Sequence, residues 1–268
     1  MKRLLSILMV MIITLTLANT VSRAVDEKIS LDKCKISFSK KTFTYTGEGI
    51  IPVVKVTYKK KKLKKDKDYN IYYKDNVSVG TATVTLVGLG NYTGSTSATF
   101  TITKGKQTIK AKNIKATYGD ENVTVNAVAD NPMTYKSSNK KVITVNPVGI
   151  ITIKKAGKAT ITIKAEGSGN VKPAKKVIKV TIAKAKPEVT AFGGIVALGK
   201  MWDLHASTTS PGKLTYSSSN KKVASVSKKG IVKGLKVGKA TITVKCGGTK
   251  NYKPASTKVT IEVSDSLG

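Results

Sequence analysis

The sequence predicts an all-β protein made of three tandem β-sandwich domains arranged as a rod. One strand-like motif occurs three times, as Gly80-Thr-Ala-Thr-Val-Thr-Leu86, Gly157-Lys-Ala-Thr-Ile-Thr-Ile163 and Gly238-Lys-Ala-Thr-Ile-Thr-Val244. A shorter echo follows each copy, as Gly88-Leu-Gly-Asn91, Gly167-Ser-Gly-Asn170 and Gly248-Thr-Lys-Asn251. The copies lie about 80 residues apart, which is the length of one small sandwich domain. No segment with convincing helical periodicity follows residue 24.

Residues 1–24 contain the three parts of a secretory signal peptide. Lys2 and Arg3 form a charged start, and residues 4–17 are an apolar run without charge. Ser22 and Ala24 then place small residues at the −3 and −1 positions of a cleavage site. The alternative is an uncleaved anchor, which normally needs about 20 apolar residues. We expect cleavage after Ala24, a secreted or cell-surface protein and no membrane span in the mature chain.

Domain 1 is predicted at residues 29–104. Threonine, valine, isoleucine and tyrosine alternate over several short segments, which is typical of half-buried antiparallel strands. The predicted strands cover residues 43–46, 53–58, 69–73, 80–87 and 98–102. Asp75-Asn76 and the glycines at 88 and 90 are turn residues between them.

Domains 2 and 3 are predicted at residues 107–183 and 187–263, and they are close relatives. Residues 133–182 align with residues 214–263 without a gap, and about half of the positions are identical. Thr134-Tyr-Lys-Ser-Ser-Asn-Lys-Lys-Val142, for example, corresponds to Thr215-Tyr-Ser-Ser-Ser-Asn-Lys-Lys-Val223. The links between domains are only a few residues long, so we expect a slightly flexible rod.

The repeated pattern resembles the bacterial immunoglobulin-like group 2 domain (Big_2). The pattern is Tyr-x-Ser-Ser-Asn-x-x-Val followed by Gly-Ile and then Ala-Gly-Lys-Ala-Thr-Ile-Thr or its variant, and it covers domains 2 and 3. Domain 1 is similar to a related immunoglobulin-like repeat of bacterial surface proteins, through Tyr45-Thr-Gly47, Asp68-Tyr69 and Gly90-Asn-Tyr-Thr-Gly94. These resemblances imply exported, surface-displayed modules used for spacing, adhesion or carbohydrate contact. They carry no universal catalytic or binding residues.

The charge of the chain favours anionic partners. The net charge is +33, and removal of Lys2, Arg3 and Arg23 with the signal peptide leaves +30 and no arginine. Specific reading of nucleic acid favours the planar arginine fork, so sequence-specific nucleic-acid binding is not expected. Lysines still attract polyanions such as acidic wall polymers or glycans. The alternative is that lysine merely fills solvent-facing strand positions.

Residues that could support catalysis, a metal or covalent crosslinks are few. Cys34 and Cys246 belong to different domains, so no disulfide within a domain is possible, and the surroundings of Cys34 do not suit lipidation. His205 is the only histidine. Asp203 and His205 could form an acid–base pair, but residues two apart on any strand share a face because of the pleat. Asp120-Glu121 offers too few oxygen ligands for a typical calcium site. We therefore expect a protein that is not an enzyme and has no cofactor.

The candidate site is a run of lysines in domain 1, followed by two tyrosines. Its residues are Lys59, Lys60, Lys61, Lys62, Lys64, Lys65, Tyr72 and Tyr73. The run lies between two predicted strands, so it should form an exposed hairpin or crossover. It could contact an acidic polymer, with the tyrosines stacking on sugars. The alternative is a solvated loop whose charge discourages edge-to-edge strand pairing.

From the sequence alone we expect an exported, surface-associated, non-catalytic protein that mediates adhesion through weak multivalent binding to anionic cell-wall polymers, glycans or a host surface component. A passive spacer or assembly partner without a ligand is the main alternative, and an accessory of a polysaccharide-acting hydrolase is a further one. No sorting signal is visible near Ser264, so we expect that the protein is either retained at the surface non-covalently or released.

Overall fold

The computed structural model describes residues 27–265, so the expected signal peptide lies outside the described residues. Over this range the chain is all-β, as predicted, with 24 strands and one short 3-10 helix. None of the helices in this range is long and apolar enough to cross a membrane. Unit 1 comprises residues 27–43 and 47–102, and unit 2 comprises residues 44–46 and 103–265.

Domain 1 is a sandwich of a three-stranded and a four-stranded sheet. Its elements are β1 (Ile29–Ser30), the 3-10 helix (Leu31–Lys33), β2 (Lys35–Phe38), β3 (Thr42–Thr44), β4 (Val54–Tyr58), β5 (Lys61–Lys62), β6 (Tyr69–Lys74), β7 (Gly80–Gly88), β8 (Tyr92–Thr93) and β9 (Ser95–Thr103). The sheet orders are β2-β4-β5 and β3-β9-β7-β6, and β1 pairs with β8. The five predicted strands are confirmed as β3, β4, β6, β7 and β9.

The core of domain 1 follows from the alternation along β7. Ala82, Val84 and Leu86 are completely buried, while the threonines between them face outward. Phe100 on β9 is 2% exposed and forms edge-to-face contacts with Phe38 and Phe43, with ring centroids 6.0 and 5.4 Å apart. Such pairs contribute about 0.5–1.5 kcal/mol beyond their buried area.

Domain 2 packs a four-stranded sheet on a two-stranded one. Its strands are β10 (Ile114–Thr117), β11 (Met133–Ser137), β12 (Ile143–Val145), β13 (Ile151–Ile153), β14 (Gly157–Ala165) and β15 (Ala174–Ala183). The sheet orders are β10-β15-β14-β11 and β12-β13, and β10 runs parallel to β15. Ile143 and Ile151 from one sheet and Ile161, Ile163 and Ile178 from the other form one buried cluster.

Domain 3 repeats this plan with its own core. Its strands are β16 (Val189–Thr190), β17 (Gly194–Ala197), β18 (Met201–Asp203), β19 (Ser207–Thr208), β20 (Leu214–Ser218), β21 (Ala224–Val226), β22 (Ile231–Gly234), β23 (Gly238–Cys246) and β24 (Ala255–Ser264). The sheet orders are β17-β24-β23-β20 and β18-β22-β21, and β17 runs parallel to β24. Strand β23 pairs with β24 at the same offset as β14 with β15, so the pairs Gly157–Ile182 and Gly238–Val263 are equivalent.

The repeated asparagine loops are where each domain binds its own first segment. The backbone N–H groups of Ile29, Gly105 and Ala185 donate to the carbonyl oxygens of Asn91, Asn170 and Asn251, each at 2.9 Å. Each of these contacts forms a short parallel pairing at the start of its domain. The repeated echo therefore holds the first segment of each domain against its loop.

Within unit 2, the same loop of domain 3 contacts domain 2. The rings of Tyr118 and Tyr252 meet edge to face, with centroids 5.5 Å apart. The N–H of Ala156 donates to the side-chain oxygen Oδ1 of Asn251 at 3.1 Å. One loop therefore contacts both the first segment of domain 3 and domain 2.

Candidate functional site

The predicted lysine run forms a tight hairpin in the three-stranded sheet of domain 1. Strands β4 and β5 pair Thr57 with Lys62 and Tyr58 with Lys61. Lys59 and Lys60 form the two-residue turn, with φ of 46° and 71°. Two positive φ angles are typical of a type I′ hairpin, a turn that usually uses Asn-Gly. The backbone thus holds two lysines at the tip in a conformation that L-residues rarely adopt.

A single apolar residue anchors this hairpin. Leu63 interrupts the lysines, is 2% exposed and donates its N–H to the carbonyl oxygen of Val56 at 3.0 Å. A second turn follows, in which the N–H of Lys64 donates to Asp68 Oδ2 at 2.7 Å. Asp68 returns its own N–H to the carbonyl oxygen of Lys64 at 2.8 Å. These contacts fix the backbone while the lysine side chains stay exposed.

The charges of the run are weakly compensated by their surroundings. Lys65 Nζ lies 3.8 Å from Asp66 Oδ2, and both side chains are more than half exposed. An exposed pair of this kind contributes at most about 1 kcal/mol. Lys59 Nζ lies 5.5 Å from the centre of the Tyr58 ring, within range of a cation–π contact. The six lysines of the run are all exposed, which suits binding of an anionic partner from solution.

The two tyrosines do not form one surface with these lysines. Tyr72 and Tyr73 are neighbours on β6, so they face opposite sides of the four-stranded sheet. Tyr73 pairs with the buried Val84, and burial raises the pKa of its hydroxyl. Tyr72 pairs with Thr85 on the outer face and is 56% exposed. The hairpin belongs to the other sheet, so the structure does not bring Tyr72 beside it.

Two lysines outside the run join it on the outer face of the three-stranded sheet. The register pairs Lys35 with Thr57 and Thr57 with Lys62, and it places Lys55 two residues before Thr57. Lys35, Lys55 and Lys62 therefore lie on the face opposite the buried Val56. Sequence analysis missed Lys35 and Lys55 because they are isolated in the chain. The alternation Lys35-Ile-Ser-Phe38 was the signal that could have identified this face.

The remaining chemical candidates have structural roles. His205 donates its backbone N–H to Asp203 Oδ1 at 2.8 Å, and its exposed ring lies 3.9 Å from the same carboxylate. Asp120 Oδ2 accepts the N–H of Thr117 at 2.8 Å. Trp202 packs against the core of domain 3 and donates Nε1–H to the carbonyl oxygen of Phe192 at 3.0 Å. Over residues 27–265, no group of three or more potential ligands could hold a metal ion.

The twin Ser-Ser-Asn-Lys-Lys segments also have structural roles. In domain 2, Ser137 Oγ accepts the N–H of Asn139 and Ser138 Oγ accepts the N–H of Thr160. Domain 3 repeats both hydrogen bonds through Ser218 and Ser219. These serines therefore fix the turn after the strand.

The two cysteines are free thiols in separate units. Cys34 is half-buried, and burial, with a smaller contribution from Asp32, raises the pKa of its thiol. Cys246 is buried, with Sγ 3.5 Å from Thr208 Oγ1. Cys246 therefore packs as part of domain 3.

Domains 2 and 3 share the register of their long strand pair and a first strand that runs parallel to the last one. Residues 203–265 match the family model of the bacterial Ig-like domain (group 2). The match lies in domain 3 and covers one of the two domains for which the sequence predicted it. Domain 2 shares the strand register of that Ig-like domain.

One characterised enzyme shares a segment of sequence with the chain. The kappa-carrageenase of Pseudoalteromonas carrageenovora is 35% identical over 82 residues, which is 31% of this chain and 19% of the enzyme. The chain thus spans about a fifth of the length of that relative.

Two solved structures align with most of this chain at low sequence identity. The S-layer protein rSbsC(31-844) aligns with 87% of this chain and 40% of its own, at 18% identity and a TM-score of 0.33. Drosophila N-cadherin EC1-4 aligns with 85% of this chain and 75% of its own, at 11% identity and a TM-score of 0.31. None of these similarities assigns a ligand.

Proposed function

We propose that this chain is an exported, surface-associated and non-catalytic Ig-like protein that adheres to anionic cell-wall polymers or glycans through exposed lysines. The observation that carries the proposal is the β4–β5 hairpin, which holds six lysines in and after one anchored turn. Lys35 and Lys55 extend the same charge over the adjacent sheet face. A rigid display of this kind reduces the entropy lost when several cations bind one polymer.

Protection of a sheet edge does not account for the whole arrangement. Strand β5 lies at an edge, and lysines there discourage pairing with another chain. Lys55, however, lies on β4, which has neighbours on both sides. Lys59 and Lys60 are in a turn that offers no strand to pair. These positions are better explained by attraction of an anionic partner.

The proposal includes export of the protein and the assignment of domain 2 as a second group 2 Ig-like domain. The match of domain 3 to a bacterial Ig-like domain supports an extracellular or surface location. The predicted signal peptide at residues 1–24 would provide the route. The identical strand register supports domain 2 as a second group 2 domain. Each domain carries exposed lysines, so a single chain can bind one polymer at several points.

Co-sedimentation with purified bacterial cell walls tests the proposed partner. The chain from Val25 should bind walls that retain teichoic acid, and binding should weaken as salt rises because exposed charges are screened. Walls stripped of the acidic polymer should bind much less. Equal binding to both preparations would overturn the anionic partner.

A variant pair tests the proposed site. Replacing Lys59, Lys60, Lys61 and Lys62 by glutamine should lower affinity about tenfold at low salt. The matched control replaces the exposed Lys221, Lys222, Lys228 and Lys229 of domain 3, so that both variants lose the same charge. Equal losses in the two variants would show attraction by net charge rather than by the hairpin.

A second candidate function is that of a spacer or assembly element. The contacts of Tyr252 and Asn251 with domain 2 favour it, because they fix the joint within unit 2. This function requires no ligand, so binding to no wall preparation at any salt concentration would support it. The carrageenase similarity supports a third role, as the accessory part of a polysaccharide-acting enzyme.

A further inference from the structure

The outer face of the four-stranded sheet of domain 2 is a second basic surface. Lys115, Lys136, Lys158, Lys164, Lys175 and Lys179 all project from this face, and all six are exposed. The opposite face of the same strands holds the buried Ile161, Ile163 and Ile178. We call these six residues the domain 2 lysine face.

Threonine hydroxyl groups lie in the same rows of the sheet as these lysines. One row joins Thr134, Lys164 and Lys175, and the next joins Lys136, Thr162 and Val177. At about 4.8 Å between strands and about 6.8 Å between rows, the lysines cover roughly 14 by 20 Å. Strands β10, β11, β14 and β15 contain no acidic residue. The face therefore presents positive charge and hydroxyl donors to solvent.

Edge protection does not explain this face. The sheet order β10-β15-β14-β11 makes β14 and β15 central strands. Four of the six lysines, Lys158, Lys164, Lys175 and Lys179, lie on those two strands. Lys164 and Lys175 are directly opposite each other, and like charges in that position destabilise a sheet. The arrangement opposes folding stability, which is consistent with selection for binding.

The sister domain shows that the fold does not require these lysines. In domain 3, the positions equivalent to Lys136, Lys175 and Lys179 are Ser217, Ser256 and Thr260. Domain 3 also has Glu262 on this face, where it pairs with Lys239 at 3.2 Å. The register places the exposed Ile195 opposite Glu262, at the position of Lys115. The same backbone thus carries a strongly basic face in one domain and a mixed face in the other.

An open groove of about 410 Å³ lies on the domain 2 lysine face, over strands β11, β14 and β15. Lys136, Lys164 and Lys175 line it, together with the hydroxyl residues Thr134, Ser138 and Thr162. Amines and hydroxyl groups are the donors that bind the oxygens of phosphate and sulfate groups. The groove offers one anchoring position, and the surrounding lysines offer further contacts along a chain.

We propose that the domain 2 lysine face binds a linear polymer bearing phosphate or sulfate groups, with one anionic group in the groove and its neighbours on Lys158 and Lys179. This inference rests on the proposed function for the class of partner and does not depend on the hairpin of domain 1. The two surfaces together make the protein bivalent for such a polymer.

Residue exchange between the two domains tests this surface. The variant Lys136→Ser/Lys175→Ser/Lys179→Thr introduces the residues that domain 3 already carries on the same backbone, so the fold should be retained. The control Lys221→Ser/Lys222→Ser/Lys228→Ser removes the same charge from exposed positions of domain 3. Circular dichroism and thermal unfolding establish that both variants fold. Binding is measured on purified teichoic acid, dextran sulfate and neutral dextran at several salt concentrations.

The exchange variant should bind one of the charged polymers about fivefold or more weakly than the control, and its salt dependence should decrease by about two units of log–log slope. Teichoic acid and dextran sulfate separate phosphate from sulfate as the recognised group. Equal binding of the exchange and control variants would overturn the inference, although the hairpin could still account for adhesion. Absence of binding by the unmodified chain to either charged polymer would overturn both proposals.

Discussion

Asn251 binds two different parts of unit 2 at once. Its side-chain oxygen Oδ1 accepts the N–H of Ala156 in domain 2 at 3.1 Å, while its backbone carbonyl accepts the N–H of Ala185 at 2.9 Å. Tyr252, the next residue, contacts the ring of Tyr118. The joint between domains 2 and 3 is therefore built from the same loop that closes domain 3.

Substitutions in this loop should loosen the joint. We expect Asn251→Ala and Tyr252→Ala each to lower the free energy of unfolding by about 1–2 kcal/mol, because each removes a part-buried contact. Both should also accelerate proteolysis near Lys184. Tyr252→Phe is the control, since it keeps the ring that packs on Tyr118. If Asn251→Ala and Tyr252→Ala unfold and are cleaved just as the wild type does, this role for the loop is contradicted.

Leu63 should control the order of the lysine hairpin. Leu63→Ala removes a side chain that is 2% exposed, so we expect domain 1 to lose about 2–5 kcal/mol in chemical denaturation. Val53→Ala is the matched control, because Val53 directly precedes β4 of the same hairpin and is 72% exposed. It should change stability by less than about 0.5 kcal/mol. Comparable losses in both variants would show that Leu63 is not the anchor.

Much of the fold could be predicted from the sequence, because period-two alternation in β7, β14 and β23 identifies the buried face directly. The lysine site of domain 1 could be predicted only in part from the sequence. A run of consecutive lysines is visible in the chain, whereas Lys35 and Lys55 join it only through strand pairing. The position of Tyr72 on the other sheet is likewise decided by long-range pairing. The domain 2 lysine face depends on the register of four strands.

Buried tyrosines should make domain 1 sensitive to alkaline pH. Tyr92 is 5% exposed, and burial, with smaller contributions from Asp68, Cys34 and Tyr58, raises the pKa of its hydroxyl above the ordinary value. The folded state then holds this proton more tightly than the unfolded state. Its contribution to stability is complete below the unfolded pKa of about 10 and is lost as pH rises through the folded pKa.

The variant Tyr92→Phe separates this effect from the titration of lysines. Above a pH of about 10, the free energy of unfolding of Tyr92→Phe should fall less steeply than that of the wild type. Chemical denaturation at fixed ionic strength measures this difference. Lysine titration is common to both proteins and cancels in the difference. Parallel curves would show that ionisation of Tyr92 does not contribute.

Repulsion on the domain 2 lysine face should be measurable without a ligand. Lys175→Ser removes one member of the Lys164–Lys175 pair, and Ser256 shows that the fold accepts serine there. We expect a gain of about 0.2–1 kcal/mol in unfolding free energy at low salt, which shrinks as salt screens the charges. Lys228→Ser, in an exposed loop of domain 3, should gain less. Equal gains for the two variants would indicate a general effect of net charge.

Equilibrium binding of the chain from Val25 to purified teichoic acid, measured across a salt series, tests the adhesion account most directly. We expect saturable binding that weakens with salt, is reduced about tenfold by glutamine at Lys59–Lys62 and is retained by the control with equal charge loss. Undetectable binding at low salt, or binding that the hairpin variant leaves unchanged relative to that control, would contradict the central claim.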